Sequence, residues 1–287
     1  MSLEYRHVDV FTSRPYSGNG LPVFLDAGGL SASQMLRVTQ ELRHFEAIFL
    51  QRMSQPDSVS ARVFDLFEEL PFAGHPVIGA AAVLHESTGS DDRCVWNIKL
   101  PSKTVAIATE RTATGFFGLL DQGTPDIIDS PRDHAWIAPA FGLEPGDLHS
   151  ELPPEVISTG LRYLIVPVVA GALERARIGR DISDQLKAVD AQFAVLLDES
   201  AIEVRHWNND GVIEDVATGS AAGTIGAFRL RHGLARPGET FVLHQGRFTG
   251  RPSTLRVRAE GTAQKIENVS VGGDVAMVGR GTLETRP

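Results

Sequence analysis

The sequence predicts an α+β fold of two similar lobes, and three observations carry that prediction. First, a short phrase occurs twice: Gly-His-Pro-Val-Ile-Gly-Ala-Ala-Ala-Val-Leu over residues 74–84, and Gly-Ser-Ala-Ala-Gly-Thr-Ile-Gly-Ala-Phe-Arg-Leu over residues 219–230. The two phrases begin about half of the 287-residue chain apart. Second, strand-like segments outnumber helical ones, with one principal helix in each half. Third, residues 121–135, with Gly123, Pro125 and Pro131, lack periodicity and mark a boundary. This gives an N-terminal lobe over 1–125, a C-terminal lobe over 126–270, and a closing segment, 271–287, returning to the first lobe. Two helix N-termini, each opening on a glycine, would then enclose a site from two sides. Free amides at such termini attract carboxylates, which points to a small anionic substrate.

The elements follow from local pattern. Tyr5–Phe11 is rich in aromatic and β-branched residues and reads as a strand; residues 13–20 form a turn-rich loop, and Leu21–Leu25 resumes the strand character. Ser31 with Gln34 makes a capping box, and Met35, Val38 and Leu42 share one helical face, so a helix is expected over 32–42. Glu46 follows that helix and precedes the apolar Ala47-Ile48-Phe49-Leu50. Ala61–Phe67 alternates as a strand and leads through Glu68-Glu69-Leu70-Pro71 to a helix over 76–86. Strands are expected at Val95–Leu100, Thr104–Thr109 and Thr114–Leu120. In the second half they fall at Leu161–Val169, Phe193–Leu197 and Ile202–Trp207, with short helices near 133–142 and 181–188. Asn208-Asn209-Asp210-Gly211 is a turn. The second principal helix spans 220–232 and stops at Gly233, and strands at Phe241–Leu243, Thr254–Glu260 and Glu267–Val271 close the chain.

Composition narrows the function. Hydrophobic residues at 42% and charged residues at 22% are ordinary for a globular chain. A net charge of −9 argues against a nucleic-acid partner, whose phosphates demand basic patches. The apolar stretches are too short to span a bilayer and the start has no apolar signal core, so a cytoplasmic protein with no membrane role is expected. The sole cysteine, Cys94, favours a reducing compartment.

Several side chains could carry chemistry. At Gly74-His75 and Gly219-Ser220, glycine permits close approach of a ligand while His or Ser adds a hydrogen bond. His75 titrates near neutrality and suits acid or base work, although a lone His at a helix start commonly caps or packs. Asp215 either accepts a hydrogen bond from a substrate amine or caps its own loop as an Asx turn. Apolar neighbours would raise the pKa of Glu46 and suit it to proton transfer, whereas sequence alone favours an exposed helix-end glutamate. No H-E-x-x-H, paired cysteines, Walker lysine, G-x-G-x-x-G or G-x-S-x-G motif occurs, so neither a metal site nor a bound nucleotide is expected.

Gly18-Asn19, Glu46, Glu69-Leu70-Pro71-Phe72-Ala73-Gly74-His75-Pro76 and Glu214-Asp215-Val216-Ala217-Thr218-Gly219-Ser220-Ala221-Ala222-Gly223 together resemble the PhzF-like phenazine-biosynthesis family. Ser158-Thr159-Gly160 with Val166-Pro167-Val168, Gln245-Gly246, and Gly250-Arg251-Pro252-Ser253 extend the resemblance over essentially the whole chain. It implies a diaminopimelate epimerase-like fold, in which a curved, mainly antiparallel sheet wraps a central helix in each of two pseudo-symmetric lobes. It also implies a cofactor-independent isomerase that moves a proton between carbons of trans-2,3-dihydro-3-hydroxyanthranilate, and a homodimer. Carried over by residue, Glu46 is the acid/base, and His75, Asp215 and Ser220 hold and polarise a small carboxylated metabolite. The amides near Gly74 and Gly219, with Asn19 and Gln245, complete its binding.

The chain departs from the family's usual pattern at Gly20, Pro22, Phe45 and Asp65-Leu66. Racemases of this fold use two opposed cysteines, and one cysteine excludes that mechanism. Two further readings stand beside the isomerase: a non-catalytic metabolite-binding or regulatory protein on the same fold, and hydrolysis through Ser220.

Overall fold

The computed structural model of the protein describes residues 2–88, 92–129, 131 and 133–287. The chain divides into two compact units, Met1–Asp121 with Gly272–Pro287, and Gln122–Val271.

In the first unit the alternating apolar start forms β1 (Leu3–Val10) and returns antiparallel as β2 (Asn19–Phe24). The turn between them needs a glycine at Gly18, where φ is +62° and a Cβ would collide with the Val10 carbonyl. Helix α1 (Ala32–Leu42) begins as expected, with the Ser31 side chain accepting from the Gln34 amide and the Gln34 side chain accepting from the Ser31 amide. It leads into β3 (Glu46–Arg52), which pairs parallel with β2 and antiparallel with β4 (Ser58–Asp65). A two-residue β5 (Glu69–Leu70) turns the chain into α2 (Gly74–Thr88). The meander β6 (Arg93–Lys99), β7 (Thr104–Thr112) and β8 (Gly115–Gly123) follows.

The strand order β1-β2-β3-β4-β6-β7-β8 closes on itself, because the last long strand of the chain lies between β8 and β1. Helix α2 sits inside this ring, buried on every side from Gly74 to His85. A helix with no solvent face needs small residues where it meets the sheet. At Gly79 a Cβ would lie 2.6 Å from Leu21 Cδ2 and 3.0 Å from Val10 Cγ2. The outer face of β3 is covered by α1, where Ala47, Phe49, Phe24, Phe64, Met35 and Val38 share a core. Both faces of β3 are therefore buried, which explains its uninterrupted run of apolar residues.

The first strand lying wholly in the second unit is β9 (Asp126–Asp129), inside the aperiodic segment expected as the boundary between lobes. Helix α3 is only Ile137–Ala140, shorter than the expected 133–142. Strand β10 (Glu155–Ser158) is an element the sequence reading did not contain. Then come β11 (Arg162–Val168), α4 (Ser183–Ala188), β12 (Phe193–Asp198), β13 (Glu203–His206), α5 (Gly219–Arg231), β14 (Thr240–Gln245), β15 (Ser253–Gly261) and β16 (Ile266–Leu283). Residues of β16 up to Val271 belong to this unit and the remainder to the first. The order is β15-β14-β13-β12-β11-β10-β9, with β16 beside β15. Antiparallel pairs dominate, and β11–β12 and β13–β14 are parallel.

Helix α5 repeats the logic of α2. All its residues from Gly219 to Leu230 are buried except Ser220, and a Cβ at Gly226 would lie 2.7 Å from Val257 Cγ1. The doubled phrase thus encodes two buried helices that approach their sheets through glycine. The architecture is the expected α+β type, with a sheet around a central helix in each unit. Among the described residues no helix is long and apolar enough to cross a membrane.

Candidate active site

Strand alternation decides what faces α2. Leu21 of β2 packs on Gly79, so Asn19, two residues earlier, presents its side chain to the same face. In β3, Ala47 and Phe49 point to the α1 side, so Glu46 and Ile48 point to α2. His75 is the second residue of α2. The three side chains meet there: His75 Nδ1 is 3.4 Å from Glu46 Oε2 and 3.5 Å from Asn19 Nδ2.

Glu46 is only 8% exposed and His75 5%, so the carboxyl lies in the fold and not on a helix end, against the weight of sequence alone. Both approaches converge on one ring nitrogen. A deprotonated Nδ1 can accept from the Asn19 amide, whereas a protonated Nδ1 can donate to the Glu46 carboxylate. The proton on His75 is thereby coupled to the charge on Glu46, an arrangement suited to moving protons. Phe45, the departure next to this carboxyl, is half-buried at the bend into β3.

In the second unit the chain entering α5 is braced from several directions. Asp215 accepts from Thr218 Oγ1 at 2.6 Å and from the Ala217 amide at 3.4 Å, so its carboxylate does organise its own loop. Gln245, 2% exposed, accepts from the Thr218 amide at 2.9 Å and donates to the Asp215 carbonyl and to Thr218 Oγ1, each at 2.9 Å. Both amide hydrogens of Gln245 are thus spent on the loop. Gln122 donates to the Gly219 carbonyl at 2.8 Å and accepts from Thr159 Oγ1 at 2.8 Å. Thr218 precedes α5 without capping it, because its hydroxyl turns to Asp215. The first-turn amides beside Gly219 therefore carry no side-chain cap, and the half-buried Ser220 stands among them.

Residues without a sequence signal complete this end. Ser220 Oγ is 2.8 Å from Tyr163 Oη. A phenol is a poor base near neutrality, so this contact does not activate Ser220 as a nucleophile. His206 donates from Nδ1 to the Ala194 carbonyl at 2.8 Å, and burial pushes its imidazole pKa down against the opposing charges of Asp215 and Glu214. Arg205 grips Glu214, the residue before Asp215, through Nε at 2.8 Å and Nη2 at 2.6 Å, and is flanked by the rings of Trp207 and Phe248. Tyr163, His206 and Gln122 carry no local motif; only the folded sheet brings them to α5. Thr159 lies within the Ser158-Thr159-Gly160 motif, and its partner there is Gln122.

Asn19, Glu46, His75 and Gly74 are thus assembled in one unit, and Asp215, Gly219, Ser220 and Gln245 in the other. Among the described residues no group of three His, Cys, Asp or Glu side chains could hold a metal ion. Cys94 lies on β6 opposite Thr109.

The model of the phenazine biosynthesis-like protein family matches residues 8–281. The trans-2,3-dihydro-3-hydroxyanthranilate isomerase of Pseudomonas chlororaphis is 32% identical over 286 residues, covering 97% of this chain and 98% of its own. A solved structure from Pseudomonas aeruginosa, described as a predicted epimerase, superposes with a TM-score of 0.92 at 47% identity and covers 99% of both chains. A probable proline racemase from Agrobacterium radiobacter shares the fold alone, with a TM-score of 0.63 at 14% identity over 99% of this chain and 94% of that one. The chain belongs to the phenazine biosynthesis-like (PhzC-PhzF) family and is an isomerase.

Proposed function

We propose that this isomerase moves a proton between two carbons of a small carboxylated substrate, of the class of trans-2,3-dihydro-3-hydroxyanthranilate, without a cofactor. The observation that carries the reading is the buried Glu46 with His75 Nδ1 at 3.4 Å. As a carboxylate, Glu46 accepts the proton released from one carbon; as the acid so formed, it returns that proton to another carbon, and the reaction balances with no external oxidant or reductant. Burial supports this role, because a site that excludes bulk water strengthens the interaction of the carboxylate with His75 and with the proton it carries. His75 stabilises the carboxylate before the proton is taken and after it is returned, and Asn19 orients the ring. In the first unit the amides beside Gly74, and in the second unit those beside Gly219 with Ser220, each suit a carboxylate, and Asp215 suits an amine.

The test is solvent-deuterium incorporation into trans-2,3-dihydro-3-hydroxyanthranilate. The unmodified protein is expected to incorporate label during isomerisation. Glu46→Gln should stop both isomerisation and labelling while its far-UV circular dichroism stays unchanged. Full activity in Glu46→Gln would sink the assignment. Binding without any turnover by the unmodified protein would favour the metabolite-binding alternative.

A further inference from the structure

Tyr163 stands apart from the loop braces because its contact is with a side chain assigned to the substrate. It lies on β11 and is only 2% exposed. Its ring belongs to a cluster of three, with Phe193, its parallel neighbour in register, at a centroid distance of 5.5 Å and His206 edge-on at 5.6 Å, those two rings being 5.8 Å from each other. Packing in this cluster and near-complete burial fix the ring, so its hydroxyl has one position. That position is 2.8 Å from Ser220 Oγ. Ser220 is fixed from the backbone side as well, where Thr159 Oγ1 lies 3.4 Å from its carbonyl oxygen.

We propose that Tyr163 is a positioning residue that aims the Ser220 hydroxyl at the substrate; this rests on the reading in which Ser220 binds that substrate. A serine hydroxyl has one proton and can rotate. The phenol is the more acidic of the two hydroxyls and takes the donor role toward Ser220 Oγ. The serine proton is then left to donate to an acceptor in front of α5. Donation by the phenol also polarises Ser220, which strengthens that second bond to an anionic oxygen. Tyr163 touches no reacting atom in this scheme. Its effect is on binding through Ser220, not on the proton transfer at Glu46.

Tyr163→Phe removes one oxygen and keeps the ring packed on Phe193 and His206. With trans-2,3-dihydro-3-hydroxyanthranilate as the probe, KM is expected to rise about three- to tenfold, the range of one hydrogen bond, and by more than kcat falls. Ser220→Ala should raise KM at least as much, and the double variant should match Ser220→Ala alone. A crystal structure of Tyr163→Phe without ligand should show Ser220 Oγ in a different or divided rotamer. An unchanged KM in Tyr163→Phe beside a raised KM in Ser220→Ala would overturn the inference and leave the functional reading intact. Additive effects in the double variant, or an unmoved Ser220 rotamer, would also overturn it. An unchanged KM in Ser220→Ala would overturn the substrate role of Ser220 itself, and the inference with it.

Discussion

Gln245 and Thr218 hold each other twice: the Gln245 carbonyl oxygen accepts from the Thr218 amide, and the Gln245 amide donates to the Thr218 hydroxyl, both at 2.9 Å. The same amide group reaches the Asp215 carbonyl. Gln245 was expected to touch substrate, and its side chain is committed to the loop that carries Asp215 and Gly219. Gln245→Glu keeps the acceptor and loses both donors, while adding a charge near Asp215. It should cost about 2 kcal/mol of stability, seen as a lower urea midpoint at unchanged slope. A variant as stable as the parent would show that the brace contributes nothing.

Arg205 fixes the residue before Asp215. Arg205 is 8% exposed, and its guanidinium pairs with Glu214 and also donates to the Leu173 and Ala176 carbonyls. Arg205→Met leaves the Glu214 carboxylate without its partner in a half-buried place and should destabilise by roughly 3–5 kcal/mol. Arg205→Met with Glu214→Leu should recover part of that loss, because no charge is then stranded. Chemical denaturation of the four proteins of this cycle measures the coupling.

Gly223 is needed for a reason other than backbone freedom. A Cβ there would collide with Gln122 Oε1, an atom already held by Thr159. Alanine favours a helix over glycine by about 1 kcal/mol, yet Gly223→Ala should destabilise by about 2 kcal/mol or more, since Gln122 cannot move without releasing Gly219 and Thr159. In a Gln122→Ser background the same substitution should become nearly neutral. Equal costs in both backgrounds, read from thermal unfolding, would refute the steric account.

His206 makes stability depend on pH. Burial holds its imidazole below the ordinary 6.5, with Asp215 and Glu214 only partly opposing. The unfolded chain therefore binds this proton more readily than the folded one. The contribution of His206 is complete above about pH 6.5 and is lost as the pH falls through the lower folded value. His206→Gln should flatten the decline of the urea midpoint between about pH 7 and pH 5. An identical slope in parent and variant would exclude His206 as its source.

What could be read from the sequence is what short-range forces fix. The capping box at Ser31 and Gln34, the face of Met35 and Val38, and the two glycine-led helices depend on residues within a turn or two of each other. The family motifs around Gly74 and Gly219 were legible for the same reason, being contiguous. The tertiary structure decided the rest. Glu46 reads locally as an exposed helix end and is buried because α1 and α2 cover opposite faces of β3. The short strand β10 is specified by its partners on either side, and residues 133–142 hold too little helix to persist beyond Ile137–Ala140. Gln245 became a brace, and Tyr163 and His206 reached α5, through strand pairings that span tens of residues. Local propensity chooses elements, but burial and the partner of a polar side chain belong to the assembled sheet. Sequence alone named candidate residues, and only the fold decided which of them meet.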